Sequence, residues 1–402
     1  MDHTHTLIAK DDINFSFIVN NCMKQINTPS DVLIMSSEIR IMPNVIFNLK
    51  MALYGLNDIG AVSPISNAFL DKQHTSVQNE SMQQYIDLSK KMNIYNEENH
   101  DRSLILNNNF ILFKKDALKQ VGNFDVQFFL KETSVIDLCL RLIKSCYSLY
   151  ICKDTFVACR DNKLLISATD IDHSLTNDND RLKIKWGMNY FNMDSNPHLV
   201  EMIEEEKNTS INVLEIGCDC GATLLEIQNS YSEAKIYGVE LNENAAVIAN
   251  GFADVIIANI ENLNLPYAEN YFDYILFGDV LEHLHNPKTV LEYIKKYLKN
   301  TGKIVASIPN IMHASVIKSM IHGDWSYRDT GLLDRTHIHF FTYNEIQRMF
   351  DLIGLSIKKS NFIIYKLNDS DEEFIDKLMI LDTTTPRFMF QTFQYVICAS
   401  LV

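Results

Sequence analysis

Residues 213–224 read VLEIGCDCGATL, and this stretch constrains the chain most. A short apolar run, Val213, Leu214 and Ile216, contains Glu215 and ends in a turn built on Gly217 and Gly221. The amphipathic stretch LLEIQNSY follows. The order is strand, tight turn, helix. Such a turn presents free backbone N–H groups and a positive helix end beside the C-terminal edge of a strand, where a nucleoside-like ligand can sit. Glu240 closes the next apolar run, KIYGVEL, 19 residues after Gly221. That is close to the roughly 20 residues expected of an acid that binds ribose hydroxyls.

The glycine pattern then discriminates between ligands. A dinucleotide turn wants three glycines so that the backbone can approach a pyrophosphate. Here Asp219 and Ala222 fill two of the fingerprint's glycine positions, and a diphosphate would meet the carboxylate of Asp219. A cofactor with a cationic centre and no phosphate fits better, and S-adenosyl-L-methionine is one.

Around this turn, strands and helices alternate. INVLEIG, AKIYGVEL, DVIIAN, DYILFGD, GKIVASIP, LSIKKSNFIIYK and FQYVICASLV read as seven strands. GATLLEIQNSY, NENAAVIAN, NPKTVLEYIKKYLKN and TYNEIQRMFDLIG read as the helices between them. Alternation of this kind predicts an α/β fold with a doubly covered parallel sheet. From about Lys185 to the C-terminus the chain resembles the class I S-adenosylmethionine-dependent methyltransferases. The resemblance rests on VLEIGCDCG, YGVELN, ANIENLNLP, FDYILFGDVLEHLHNP and GLLDRTHIHFFT, which occur in the family's order. It implies a Rossmann-like seven-stranded sheet whose last strand, FQYVICASLV, is antiparallel.

The resemblance also implies roles for individual residues. Glu215 lies under the methionine part of the cofactor, with Gly217, Cys218 and Gly221 in the turn. Glu240 binds both ribose hydroxyls, with Leu241 beside it; capping of the following helix is the alternative. Asn259 bonds the adenine amino group while Ile260 packs on the ring. Asp279 lines the transfer site, and Tyr190 covers the methionine carboxylate. Methyl transfer from a sulfonium needs mainly positioning and, for a hydroxyl acceptor, a base. His283, next to Glu282, and His337 are the candidate bases; packed histidines are the alternative. His337 and His339, with His283 and His285, could form a metal cluster, but no ligand spacing on a helix supports one and no metal is expected. Trp325, Tyr327, Arg328, Asp334 and Arg335 suit a polyhydroxylated or phosphorylated acceptor.

The first part of the chain carries a second resemblance. DVLIMSSEIRIMPNVIFNLKMALYGLNDIGAVSPISN and NNFILFKKDALKQVGNFDVQFFLKETSVIDLCLRLIKSCYSLYICKDTFV are similar to the second half of a family 2 glycosyltransferase. This implies a partial GT-A-like α/β domain over roughly residues 13–160, with no counterpart of the first nucleotide-binding βαβ unit. The family's metal-binding acids align with Ser36, Ser37 and Glu38, and its catalytic acid pair with Ser134 and Val135. Asp137 survives. The domain is therefore expected to be degenerate, without a catalytic base.

The expected division is a glycosyltransferase-like domain at 1–165, a linker and lead-in helix at 166–205, and a methyltransferase domain at 206–402. The main functional expectation is O-methylation of a sugar or glycan-related small molecule in cell-surface polysaccharide metabolism. A glycosyltransferase with an auxiliary methyltransferase domain, or a non-catalytic binding protein, are the alternatives. A net charge of −15 speaks against nucleic acid or an anionic membrane as partner. No apolar run approaches the ~18 residues of a membrane span, so no insertion is expected. The eight cysteines show no CxxC and read as reduced thiols of a cytoplasmic protein.

Overall fold

The computed structural model describes residues 4–9, 14–25, 30–69, 72–77, 81–159, 174–188, 193–262 and 264–402. The chain forms two compact units, Met1–Met193 and Asp194–Val402. The stretch 166–205 is thus shared between them. Its helix Ser174–Trp186 packs within the first unit, and the helical turn Pro197–Val200 belongs to the second. The sequence stretch PHLVEMIEEE predicts a longer helix there. It stops after one turn, with the Asn196 side chain capping the His198 and Leu199 N–H groups.

The first unit is mixed α/β. Its strands are β1 (Thr4–Ala9), β2 (Asp31–Ser36), β3 (Ile39–Arg40), β4 (Ile59–Ser66), β5 (His100–Arg102), β6 (Phe110–Phe113) and β7 (Ser148–Cys159). They form one sheet in the order β1-β2-β6-β4-β7-β3, with β5 added on β7. β1 and β2 are parallel, joined through the helix Phe15–Lys24. The sequence reading places no strand at β1. That strand, THTLIA, is short and lies in a polar N-terminal stretch that hides it.

The second unit contains β8 (Asn212–Ile216), β9 (Lys235–Glu240), β10 (Asp254–Ile257), β11 (Phe272–Gly278), β12 (Leu298–Pro309), β13 (Leu355–Ile364) and β14 (Thr392–Leu401). The order is β10-β9-β8-β11-β12-β14-β13. Only β14 runs antiparallel to its neighbours, as FQYVICASLV predicts. Successive residues face opposite sides of the sheet. Leu214, Ile275, Phe277, Ile304 and Ala306 enter one core; Val213, Tyr274, Leu276 and Val305 enter the other. Burial on both faces explains the unbroken apolar runs of these strands.

The four expected helices form over Ala222–Ser230, Glu243–Ala249, Pro287–Ile294 and Tyr343–Leu352. Three more, Ala314–Ile321, Asp369–Leu381 and Arg387–Gln391, were not anticipated. Two of them carry exposed apolar residues: Met320 and Ile321 on the first, Ile380 and Leu381 on the second. Those positions blur the amphipathic period.

β8 sits at the centre, with β9 on one side and β11 on the other. The chain winds away from it in both directions, so the C-terminal ends of these three strands form the crevice expected of an open α/β sheet. Phe277, fully buried in β11, anchors that centre. Phe277→Ala should cost about 3–5 kcal/mol, whereas Leu241→Ala, at a residue 69% exposed, should stay within about 0.5 kcal/mol. Denaturant titration of both variants checks this; equal effects would contradict the placement of the core.

Candidate active site

The turn after β8 is held by backbone geometry. Gly217, Asp219 and Gly221 all adopt left-handed conformations, with φ of 71°, 48° and 80°. At Gly217 a Cβ would lie 2.6 Å from Val280 Cγ2, and at Gly221 it would lie 2.8 Å from the Phe252 ring. Asp219 takes its φ without glycine, which aspartate tolerates better than most residues. Gly217 N–H donates to the Val239 carbonyl at 2.8 Å, tying the turn to β9.

Glu240 completes this tie. One carboxylate oxygen accepts from Asp219 N–H at 2.9 Å and the other from Asn242 N–H at 2.7 Å. The side chain therefore braces two loops in the free protein, and it is Asn242, not Glu240, that caps the helix Glu243–Ala249. Each carboxylate oxygen keeps a second lone pair for a hydroxyl donor.

Glu215 ends β8 almost fully buried, with Oε2 unpartnered among protein atoms. Burial pushes its carboxyl up to about 8; Thr223 opposes the shift, while Asp219 and Glu240 add to it. Asp219 is pushed up to about 6 by burial and by Glu240. Asp279, just after β11, also has a left-handed backbone, φ 54°. Its carboxyl accepts from Gln394 and is pushed up to about 6 by the protein packed around it. Its N–H donates to Ser307 Oγ at 3.1 Å. Backbone strain at Asp219 and Asp279 falls at the ends of two central strands, where functional sites concentrate such strain.

The other expected cofactor residues divide. Leu241 is exposed and free to cover an apolar face. Cys218 and Ile260 are not: both side chains lie in the cores, at 4% and 7% exposure. Cys218 fills the space beside Gly238, where a Cβ would lie 2.5 Å from its sulfur. Ile260 packs with Leu265 and Leu281. Asn259 uses its side-chain oxygen on Glu261 N–H at 2.9 Å, so that atom caps a helical turn. Tyr190 lies outside the described residues.

His283 and His337 come together, with ring centroids 4.9 Å apart and planes at 68°. His283 is exposed and contacts the Thr336 carbonyl through Nδ1 at 3.1 Å, leaving Nε2 free of that contact. His337 is held below the usual histidine range by burial and by His283. Glu282 lies beneath them, fully buried, with both oxygens unpartnered; burial and then Asp279 push its carboxyl far up. Donor atoms of Glu282, His283 and His337 lie within 4.8 Å of one another, close enough to hold a metal ion. His285 instead pairs with Glu261 at 3.0 Å. His339 contacts the His285 carbonyl at 3.2 Å. The four histidines thus do not form one cluster.

The segment 325–340 is sewn onto this centre. Ile338 and His339 N–H both donate to the Glu282 carbonyl at 3.0 Å, and Trp325 packs edge-on against Phe340. Gln394 and Thr223 are the site residues that the sequence did not reveal. Gln394 reaches Asp279 from a strand 115 residues away, and no local signal marks it.

In the first unit, Ser36, Ser134, Val135 and Asp137 take part in packing and hydrogen bonding, while Ser37 donates to half-buried Glu38 at 3.2 Å. Ser36 bonds Asn109 at 2.6 Å and accepts from the Lys131 amine at 2.7 Å. Ser134 donates to the Leu130 carbonyl at 2.5 Å, and Val135 is 1% exposed. Asp137 is buried against Arg141, Lys185 and Trp186.

Residues 188–360, almost all of them in the second unit, match the family described as a methyltransferase domain. The mitochondrial ubiquinone biosynthesis O-methyltransferase of Dictyostelium discoideum is 23% identical over 185 residues, covering 42% of this chain and 57% of its own length. An uncharacterised protein of Methanocaldococcus jannaschii is 40% identical over 72 residues, covering 18% of this chain and 34% of its own. The chain thus spans little more than half of the first curated relative and about a third of the second. Among solved structures, a SAM-dependent methyltransferase from Archaeoglobus fulgidus is similar at 22% identity, covering 48% of this chain and 87% of that one, with a TM-score of 0.35.

S-adenosyl-L-methionine fits the residues present. Glu240 can take hydroxyls, the Asp219 carboxylate suits a cation and would repel a diphosphate, and a cation beside Glu215 would favour its ionised form. Since Glu240 also braces the turn, Glu240→Ala should lose two hydrogen bonds to a charged acceptor, about 1.5–3 kcal/mol each in gross terms. Both the cofactor affinity and the melting temperature of the free protein should fall. If calorimetry finds affinity unchanged, the ribose assignment is wrong.

Proposed function

We propose that the second unit transfers the methyl group of S-adenosyl-L-methionine to a hydroxyl of a small acceptor. A sugar or glycan-related molecule is the preferred acceptor. The observation that carries the reading is the His283–His337 pair over buried Glu282, next to the crevice at the ends of β8, β9 and β11. A hydroxyl must lose its proton as it is methylated, and neutral imidazoles are suited to take it. His337, held below its usual range, is unprotonated at neutral pH. Burial pushes the Glu282 carboxyl far above its ordinary range, and the imidazoles are offered as the proton acceptors of the group.

The cofactor supplies an activated methyl group. The chain's residues supply position and a dry, negative environment. Glu240 and the glycine turn fix the adenosine end, and Asp219 and Glu215 face the cationic end. The sugar acceptor is drawn from the N-terminal resemblance, in which a fused glycosyltransferase-like unit points to glycan metabolism; that step is analogy. The structural roles of Ser36, Ser134 and Val135 support a first unit without transfer activity. A second reading, an apolar aromatic hydroxyl as acceptor, is favoured by the exposed Met320, Ile321, Trp325, Tyr327 and Ile338. The Dictyostelium relative acts, by its name, in ubiquinone biosynthesis. Methyl transfer to glycosides and to catechols, assayed side by side with the whole chain, decides between the two.

Replacing the true base by Ala should lower kcat by about 10²–10⁴-fold, with cofactor affinity nearly unchanged and the acidic limb of the pH profile lost. If His283→Ala and His337→Ala both retain wild-type kcat and profile, the base assignment fails.

Cofactor binding should also release a proton. Glu215 is protonated in the free protein at neutral pH, because its folded value of about 8 lies above the ordinary 4.5. A cation beside it favours the carboxylate. Affinity should therefore rise with pH from the ordinary carboxylate range to about 8. The native state of the free chain binds the extra proton, so its stability should fall over the same window. Calorimetry at pH 7 in two buffers of different ionisation enthalpy measures the release. A release as large in Glu215→Gln as in the wild type would refute the assignment.

A further inference from the structure

A cluster in the first unit, outside the methyltransferase domain, is built for a cation. β5 and β7 pair antiparallel with His100 directly opposite Cys152. Asp154 follows two residues later. The pairing of β7 with β4 jumps between Pro64↔Cys152 and Ile65↔Phe156, so one step on β4 spans four residues on β7. Lys153, Asp154 and Thr155 therefore form a bulge. Bulges re-aim side chains, and this one buries a carboxylate: the Asp154 side chain is 1% exposed.

The three side chains converge. Donor atoms of His100, Cys152 and Asp154 lie within 4.8 Å of one another. His100 Nε2 is 3.1 Å from Asp154 Oδ2, and the His100 side chain is 8% exposed. The two atoms face each other as an ion pair. Their separation also suits two ligands of one ion: Zn–N and Zn–O bonds of about 2.0–2.1 Å at a tetrahedral angle put them ~3.3 Å apart. The carboxylate is oriented from behind. Its Oδ2 accepts from Asn96 N–H at 2.6 Å and its Oδ1 from Thr155 Oγ1 at 2.9 Å. Backing bonds of this kind characterise ligating carboxylates.

We infer that His100, Cys152 and Asp154 form a zinc site that clasps β5 to the bulge of β7. Thiolate and imidazole select zinc over magnesium or calcium, which take oxygen ligands. Binding displaces the Cys152 thiol proton to solvent, and the thiolate, the neutral imidazole and the carboxylate fill three positions. Water completes the fourth. The sequence does not reveal the site, because 52 residues separate His100 from Cys152 and no CxxC marks it.

The test uses the full chain without a polyhistidine tag. Elemental analysis should find about one zinc per chain after purification without chelator. Titration of the metal-stripped chain with cobalt(II) should give a thiolate-to-cobalt charge-transfer band. Cys152→Ser should abolish the band, and Asp154→Asn should weaken cobalt affinity about 10–100-fold. The band should survive in the His283→Ala/His337→Ala double variant, since the cluster at Glu282 contains no thiol. Absence of the band in the wild-type chain, or its persistence in Cys152→Ser, would overturn the site. Metal content that falls only in the double variant would do so as well.

Discussion

The carboxylate of Glu240 is the bond on which the site rests. It stands at the end of β9 and holds N–H groups from the turn after β8 and from the loop after its own strand. Backbone bonds from Gly217 N–H to the Val239 carbonyl and from Gly221 N–H to the Cys218 carbonyl hold the rest of the turn, three of whose residues take left-handed conformations. The absence of a side chain at 217 and 221 lets Val280 and Phe252 pack directly against the turn. A side chain at either position would strike Val280 or Phe252, so the ligand-facing surface and the packing of β8 against its neighbours are one constraint.

Much of the second unit was legible because its strands are buried on both faces. Such strands read as unbroken apolar runs, and the alternating helices fix the topology. Residues set by the chain's own turn, Glu215, Gly217, Gly221 and Glu240, were legible for the same reason. What sequence could not show is which way a side chain turns. Cys218 and Ile260 stand in the right loops, yet their side chains complete the cores. Long-range partners were equally hidden. Gln394 reaches Asp279 across the sheet, and Glu282 differs from any acid before a histidine only because the fold buries it without a partner.

The first unit illustrates the converse. A βαβ unit stands where the sequence suggested none, since six residues of THTLIA carry too weak a pattern to declare a strand. The positions aligned with catalytic acids became ordinary structure: Ser134 bonds a helix carbonyl, Val135 fills the core, and Asp137 balances Arg141 and Lys185. A buried acid with two cations around it is a structural device, since leaving any one of them unpaired would be costly.

The distribution of acids suggests how one site can bind and release. Glu215, Asp219, Glu240 and Asp279 stand at the ends of β8, β9 and β11 or in the loops that follow, and the protein around them raises Glu215 to about 8 and Asp219 and Asp279 to about 6. Of these, Glu215 alone would gain its charge when a cation arrives at neutral pH, and on the proposed function that coupling would favour a sulfonium over a neutral thioether. Methyl transfer removes that positive charge from sulfur. On the proposed function, loss of that charge would weaken the attraction between these carboxyls and the demethylated cofactor. On this view Asp219, which occupies a glycine position of the nucleotide-binding turn, is compatible with the fold through its tolerated φ and useful to the site through its charge.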